Sequence, residues 1–506
     1  MKKINLFIRK RLPTKTIGAH KVSPISSQNP QQTKLTQTQL DFIQKYDGKL
    51  LLRREILIDD EAFNDLLNRH YFTAVNSFIS KSFLDRCVRC NNSNKALLGQ
   101  FPCAKCHKTH IYCRNCIMMG RVSTCELLYE WTGPSYPWKK HDDACTWKGE
   151  LTFAQNKAAI EVEKAVIEER EQLVWAVTGA GKTEILFPAI NRALAQGKRI
   201  CIATPRADVV RELLPRIQQA FKNIPVQALY GNSRDREGTA QLIIATTHQL
   251  IRFKRAFDLI IIDEIDAFPY HNDKTLQFAT NRAVKDVSAK IYLTATPRQA
   301  LKEKLAMKQL PYCFVPIRYH GHPLPLPITH SDYSLSKQLQ AHQVPKSFTN
   351  WIKKRKRADR QLLIFVPTIG LADCLLKSIT ESLILHGVIR EEAAIASVHA
   401  EDRLREEKIK QFRSKQLQVL ITTTILERGV TFPSIDVVVI EASHRVFDEA
   451  SLVQIAGRAG RNAGDPEGEV IFIHDGKTEA IVRAITSIIE MNRRGKKMLQ
   501  ARQEGE

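Results

Sequence analysis

The chain has 506 residues, 43% hydrophobic and 25% charged. That is the balance of a soluble globular protein of three or four domains at about 150 residues each, and it excludes whole-chain disorder, collagen and coiled coil. Lys and Arg number 76 against 53 Asp and Glu, a formal charge of +23, so the expected partner is polyanionic, either nucleic acid or an acidic membrane surface.

The start, MKKINLFIRKR, is basic, but its apolar stretch ends at Ile8. A signal peptide needs about 7–15 apolar residues there, and no run approaches the ~18 that cross a bilayer. The expected location is therefore the cytosol, with any membrane association peripheral. Residues 1–82 read as a basic, partly flexible N-terminal region. Its segment 22–39 is polar, and 61–79 carries helical periodicity through Phe63, Leu66, Leu67, Phe72 and Val75. Eight of the eleven cysteines then fall between Cys87 and Cys145, among them the CxxC pairs Cys87/Cys90, Cys103/Cys106 and Cys113/Cys116. In a reducing compartment that spacing points to zinc rather than disulfides. Redox chemistry is the weaker alternative, because the block lacks a thioredoxin-like βαβ setting. Cys201, Cys313 and Cys374 stand alone and read as small core hydrophobes. These boundaries give a zinc-binding module at 83–125 and a connector at 126–149.

From about 150, short apolar runs alternate with amphipathic stretches: LVWAV (173–177), RICIAT (199–204), AQLIIATT (240–247), FDLIIIDE (257–264) and KIYLTA (290–295). Such runs read as strands of a parallel sheet covered on both faces. A Pro- and His-rich linker is expected at 306–345. A second series follows: LLIFVP (362–367), AIASVH (394–399), LQVLITT (417–423), DVVVIEA (436–442) and GEVIFIH (468–474). The expected fold class is α/β, with two doubly wound parallel-sheet domains at 150–305 and 346–480, a cleft between them, and a C-terminal helix or tail at 481–506.

AVTGAGKT (176–183) follows the first of these strands and precedes a helix. It departs from GxxxxGK[ST] at Ala176 and fits the AxxGxGKT variant. Backbone amides of Thr178, Gly179, Ala180 and Gly181 would curl around phosphates, Lys182 would reach the β- and γ-phosphates, and Thr183 would hold magnesium. At the end of a later strand, DEID (263–266) offers Asp263 to the magnesium and Glu264 to the attacking water. QIAGRAGR (454–461) carries Arg458 and Arg461 three residues apart, read as one helix face that points both at the γ-phosphate as arginine fingers. The five-residue basic run Lys353–Arg357 reads equally as a backbone contact or a solvated face.

This ordered set resembles the superfamily 2 helicase and translocase core: motif I at 176–183, Ia at 203–210, II at 263–266, III at 294–296, V at 422–433 and VI at 454–461. DEID in place of DEAD argues against the DEAD-box RNA helicases. More narrowly, CRNCIMMGRV (113–122), WAVTGAGKTEILFP (175–188), CIATPRADVV (201–210), ATTHQL (245–250), IIDEIDAFPY (261–270) and ITTTILERGVTFP (421–433) resemble the ComFA family of late competence proteins. The resemblance spans Cys87 to Gly476. It implies two RecA-like domains behind a four-cysteine zinc module on Cys87, Cys90, Cys113 and Cys116. It further implies DNA-stimulated ATP hydrolysis with ATP, Mg2+ and Zn2+ as cofactors, translocation on single-stranded DNA, and import of transforming DNA at the inner face of the membrane. ComFC-like and uptake-channel partners are implied as well. Residue by residue, it puts Gln155 at the adenine, Gly429 at the nucleotide, and Arg206, Thr247, His248, His399 and Thr423 along the DNA. One zinc ion is the expectation; a second, drawing on Cys103, Cys106, Cys125 and Cys145, is the alternative. Two other readings compete. A PriA-type restart helicase carries its cysteines inside the second motor half, whereas here they precede motif I. A zinc-containing DNA-binding scaffold would not need motifs I, II and VI intact.

Overall fold

The computed structural model describes residues 36–503, apart from residues 82, 83, 232 and 236. Most of the polar segment 22–39 therefore lies outside the described residues. Its last residues open a helix, Gln37–Tyr46, in which Thr36 and Gln39 form a reciprocal capping box.

From residue 36 on, the described part of the N-terminal region is more ordered than its sequence pattern suggests. Strands β1 (Leu50–Leu52) and β2 (Phe72–Asn76) form an antiparallel sheet with a later strand, and β3 (Phe78–Lys81) pairs with β4 (Leu84–Cys87). Strands β5 (Leu98–Pro102), β6 (Thr109–Cys113) and β7 (Val122–Ser123) form the cysteine-bearing sheet. Strand β8 (Leu127–Trp131), expected as connector, returns to lie between β1 and β2. The helical periodicity assigned to 61–79 holds only for Asp60–Asn68; Phe72 and Val75 belong to β2. Phe72 serves an aromatic cluster instead, packing on Tyr46, Phe63 and Trp131. Two apolar periods coincide there because a core is shared by a helix and a strand.

The first motor domain holds β9 (Glu171–Ala176), β10 (Ile200–Thr204), β11 (Val226–Leu229), β12 (Leu242–Thr246), β13 (Phe257–Ile262), β14 (Val284–Thr294) and β15 (Tyr312–Val315). All pair in parallel, in the order β11-β12-β10-β13-β14-β9-β15. In the second are β16 (Ile328–Ser331), β17 (Gln361–Phe365), β18 (Ile395–Val398), β19 (Val419–Thr422), β20 (Ile435–Val439) and β21 (Val470–His474), ordered β16-β21-β20-β17-β19-β18. Central strands such as β10 and β20 are buried along their whole length, as helices on both faces require. Each strand read from the sequence is present. The expected linker 306–345 is not a linker throughout, because it contains β15 and β16, one edge strand of each sheet. Only the stretch between them, 316–327, crosses between the domains. The C-terminal helix, Glu479–Gln503, packs against Glu449–Ala456.

The N-terminal region is welded to the first motor domain. Arg199, fully buried just before β10, donates to the carbonyls of Asp47 (3.2 Å) and Gly238 (2.7 Å). Among the described residues no helix is long and apolar enough to cross a membrane.

Candidate nucleotide cleft and zinc sites

Between β9 and the helical turn Lys182–Ile185, Gly179 and Gly181 take positive φ (79° and 72°), the left-handed region that glycine enters without strain. The resulting loop lines a cleft of about 880 Å3 with Lys182, Thr183, Asp263 and Glu264, and with Gly429, Arg458 and Arg461 of the second domain. Thr178 Oγ1, Asp263 Oδ1 and Glu264 Oε2 are buried there without a hydrogen-bond partner. Orphaned oxygens of this kind cost about 1–3 kcal/mol each. Their chemistry fits a magnesium nucleotide, in which Thr183 and Asp263 would hold the metal and the loop amides the phosphates. Burial, followed by the neighbouring Glu264, raises Asp263 to about 6, and burial lowers Lys182 against the pull of the acids. A cation beside Asp263 and an anion beside Lys182 would each reverse the penalty.

Asp266, the last acid of DEID, has a different task. Thr294 Oγ1 and Thr296 Oγ1 each donate to it at 2.7 Å, so motif III serves as its cradle. From the second domain Arg428 Nη2 donates at 2.5 Å, and its Nη1 lies 3.8 Å from Glu264. Burial pushes the Asp266 carboxyl up, but Arg428 and the two hydroxyls hold it down at about 2.

Motif VI corrects one expectation. The helix Glu449–Ala456 ends before either arginine, so Arg458 and Arg461 sit in the following turns rather than on one helix face. Arg458 is turned inward: Nε and Nη2 donate to the Glu427 carbonyl (2.8 and 2.5 Å) and Nη1 to that of Val430. Arg461 remains partly exposed, with Nε on the Gly457 carbonyl (3.0 Å) and Nη1 on Thr431 Oγ1 (3.3 Å). Of the two, Arg461 has the freer guanidinium at the cleft. Gly457 touches the P-loop so closely that a Cβ there would lie 1.9 Å from Thr178 Oγ1. The two motor domains therefore meet directly over the phosphate loop.

Gln155 is also at the loop, but its amide is spent on the chain. Oε1 accepts from Thr152 N (2.8 Å) in a capping box, and Nε2 donates to the Ala180 carbonyl (2.9 Å). In this geometry the Gln155 amide braces the P-loop. The expected DNA residues all follow the C-terminal ends of strands: Arg206 after β10, Thr247 and His248 after β12, His399 after β18 and Thr423 after β19. His248 is exposed, whereas Thr247 is fully buried and cannot touch a backbone as placed. Arg206 crosses the cleft to the Ile425 carbonyl, and His399 Nε2 lies 3.7 Å from Asp373. Thr423 is almost buried. The basic run is divided: the Arg355 side chain is buried against Asp436 (2.6 Å), while Lys353, Lys354, Lys356 and Arg357 are exposed.

Cys87, Cys90, Cys113 and Cys116 are wholly buried, with sulfurs within 4.8 Å of one another and edges of 3.9 Å (Cys87–Cys116) and 3.5 Å (Cys90–Cys113). A tetrahedral ion with Zn–S bonds of about 2.3 Å sets such edges at about 3.8 Å. The four thiolates fit a closed structural zinc site. It packs into the same apolar cluster as Phe253, Phe257, Ala279 and Ala283 of the first motor domain.

Three family models match consecutive stretches: the competence protein ComFA N-terminal domain over residues 33–130, the type III restriction enzyme res subunit over 148–299, and the helicase conserved C-terminal domain over 343–463. Competence protein ComFA of Bacillus subtilis strain 168 is 43% identical over 443 residues, covering 87% of this chain and 93% of its own. The Streptococcus pneumoniae ComFA is 38% identical, over 78% of this chain and 91% of its own. The chain belongs to the ComFA family. Its fold is also that of the Mycobacterium smegmatis helicase Lhr, solved with single-stranded DNA and AMP-PNP: TM-score 0.52 at 18% identity, over 69% of this chain and 50% of that one.

Membership in the ComFA family makes this a competence-related superfamily 2 helicase or translocase, with an ATP-hydrolysing core of two RecA-like domains. Reading the sequence motif by motif missed Asp266 and Arg428, which bind to each other. It also missed Arg318. That side chain is buried beside Gly179 and donates to the Ala459 (2.9 Å) and Gly460 carbonyls, joining the interdomain crossing to both P-loop and motif VI. Motifs III and V, which hold TATP and ERG, were the available signal for the Asp266–Arg428 pair.

Proposed function

We propose that this protein is an ATP-driven translocase on single-stranded DNA that draws transforming DNA inward in natural competence. The observation that carries the reading is the joint construction of the cleft: P-loop and DEID acids from one domain, Gly457 and Arg461 from the other, in direct contact. A cleft built from both domains couples its occupancy to their separation. When bound, ATP-Mg2+ supplies the phosphoanhydride and the metal that screens its charge. Lys182 neutralises phosphate charge, Glu264 orients water, and Arg461 approaches the γ-phosphate side from the second domain. The rim of strand ends bearing His248 and His399 spans both sheets, so a change in their spacing would shift a strand gripped by both. Partners follow from the family alone: a ComFC-like protein and an uptake channel at the membrane, with this chain on the inner face.

Steady-state ATPase, with and without single-stranded DNA, tests the motor. Turnover should rise with DNA, and Lys182→Ala should abolish it while DNA retention in a filter assay stays near wild type. Equal turnover with and without DNA would remove the motor reading. Entry of labelled transforming DNA in a Lys182→Ala strain tests the biological role; normal uptake would refute it.

A further inference from the structure

A second group of metal-ligand side chains stands at the far end of the cysteine-bearing sheet. Cys103 and Cys106 form the tip of the β5–β6 hairpin, His110 lies on β6, and Cys125 sits in the turn between β7 and β8. Their donor atoms all lie within 4.8 Å of one another. Cys125 Sγ is 3.4 Å from Cys103 Sγ and 3.8 Å from Cys106 Sγ, and His110 Nε2 is 2.9 Å from Cys106 Sγ. We infer that these four residues form a second zinc site, of three thiolates and one imidazole, distinct from the buried four-cysteine site. It differs from the alternative weighed on sequence, because His110 takes the place of Cys145. That cysteine lies elsewhere, its N–H on Asn191.

The backbone supplies the strongest argument. At the buried site the Cys87 N–H donates to the Asn92 carbonyl (3.0 Å), the Asn91 N–H to the Cys87 carbonyl (2.8 Å), and Asn91 has φ 63°. At the hairpin tip the Cys103 N–H donates to the Lys108 carbonyl (2.9 Å), the His107 N–H to the Cys103 carbonyl (2.8 Å), and His107 has φ 55°. The two CxxC turns share one hydrogen-bond pattern, with the same left-handed residue after the second cysteine. A non-glycine residue in that region is strained and persists where the surroundings over-determine it. One knuckle presents its pair to two other buried thiols; the other presents its pair to a thiol and an imidazole.

Ligand geometry agrees. The two sulfur–sulfur edges, 3.4 and 3.8 Å, are close to those of the buried site. The Cys106–His110 edge of 2.9 Å is shorter than the ~3.5 Å that a tetrahedral ion leaves between sulfur and nitrogen, so metal binding would swing the imidazole out by about half an ångström. His110 Nδ1 lies 3.0 Å from Thr124 Oγ1, an outer partner that orients the ring with Nε2 towards the cysteines. Outer partners of this kind accompany metal-bound histidines. The sites also interleave along the chain: first and third CxxC pairs at one, second pair with His110 and Cys125 at the other. Each ion would thus cross-link segments between which the other's ligands lie, in a sheet whose strands are two to five residues long. Small modules commonly use metal or disulfide staples in addition to such short ladders.

Burial separates the two ions in behaviour. Cys106 is exposed and Cys103, His110 and Cys125 are half-buried, whereas the thiols of the four-cysteine site are sealed. Full-length protein should hold two zinc ions per chain by elemental analysis and native mass spectrometry, falling to one in Cys106→Ala and in His110→Ala. A wild-type readout stands beside these should the variants not fold. A chelating dye should release zinc in two phases, and Cys106 should become open to thiol alkylation in the first. One ion per chain, two ions unchanged in folded variants, single-phase release, or a Cys103–Cys125 disulfide in peptide maps would each overturn the assignment.

Discussion

Arg428 reaches out of the second motor domain and donates to Asp266 of the first at 2.5 Å, with both side chains at most 2% exposed. Removing one partner from such a pair leaves an uncompensated buried charge, which costs about 3–5 kcal/mol. Arg428→Ala should therefore lower stability by that order in urea unfolding. It should also cut ATPase turnover at least tenfold, because the Arg428 side chain also faces Glu264. The double variant Asp266→Asn/Arg428→Met should regain much of the stability but little of the turnover, since neither member of the pair is left charged while this link between the domains is gone. Full activity in Arg428→Ala would show that the pair is a structural contact only.

The same pair predicts an acid limb of stability. Asp266 is held at about 2, below the ordinary 3.8. A depressed carboxyl contributes stability above its unfolded pKa and loses it as pH falls through the folded one. Here that window runs from about 4 down to 2, and the contribution is about 2 kcal/mol. The gap in urea midpoint between wild type and Asp266→Asn should be widest at pH 5 and narrow by pH 3. A constant gap would place the pH dependence on other groups.

Arg458 and Arg461 should separate when mutated. Arg458 carries the carbonyls of Glu427 and Val430, so Arg458→Ala should destabilise the second domain as well as slow turnover. Arg461 rests on the Gly457 carbonyl and on Thr431, an exposed contact. Arg461→Ala should lower kcat by about 10³ or more, as loss of an arginine finger does, with a melting temperature within about 2 °C of wild type, since surface contacts of this kind contribute little to stability. Equal melting losses in both variants would count against this division.

The sheet domains were legible because each buried strand is a short apolar run, and β10, β13 and β20 stand out even without neighbours. Three of the four edge strands were not, β18 being the exception: β11 was not singled out, and β15 and β16 sit in Pro- and His-rich sequence, since an edge strand with exposed residues needs no apolar run. At the cleft, the residues expected to meet the nucleotide follow a motif spacing, and the structure brings them together. Those whose partner is another side chain, such as Arg428 with Asp266, lie 162 positions apart and leave no local pattern. His110 escaped for a related reason: its cysteine partners were sought by CxxC spacing, and an imidazole four residues on has none.

The buried four-cysteine site makes the last prediction, because it belongs to the motor's core as much as to its own module. Its four cysteines pack with Phe253, Phe257, Ala279 and Ala283. Arg282 ties the two parts together: Nε donates to the Phe253 carbonyl at 3.1 Å, Nη2 to Ile251 at 2.5 Å, and Nη1 to the carbonyl of Arg89 inside the first knuckle. Arg89 in turn is buried against Glu55 (2.8 Å). Without a bound zinc ion, four thiolates would stand in an apolar setting, which they cannot occupy charged. Cys113→Ser should therefore loosen one face of the first motor domain before the rest. In hydrogen exchange, protection should fall across residues 249–258 and 276–284, while β17 and β20 of the second domain keep theirs. Equal loss in both domains would mean that the site supports the whole fold, and no loss in either would mean that the N-terminal region is an independent attachment.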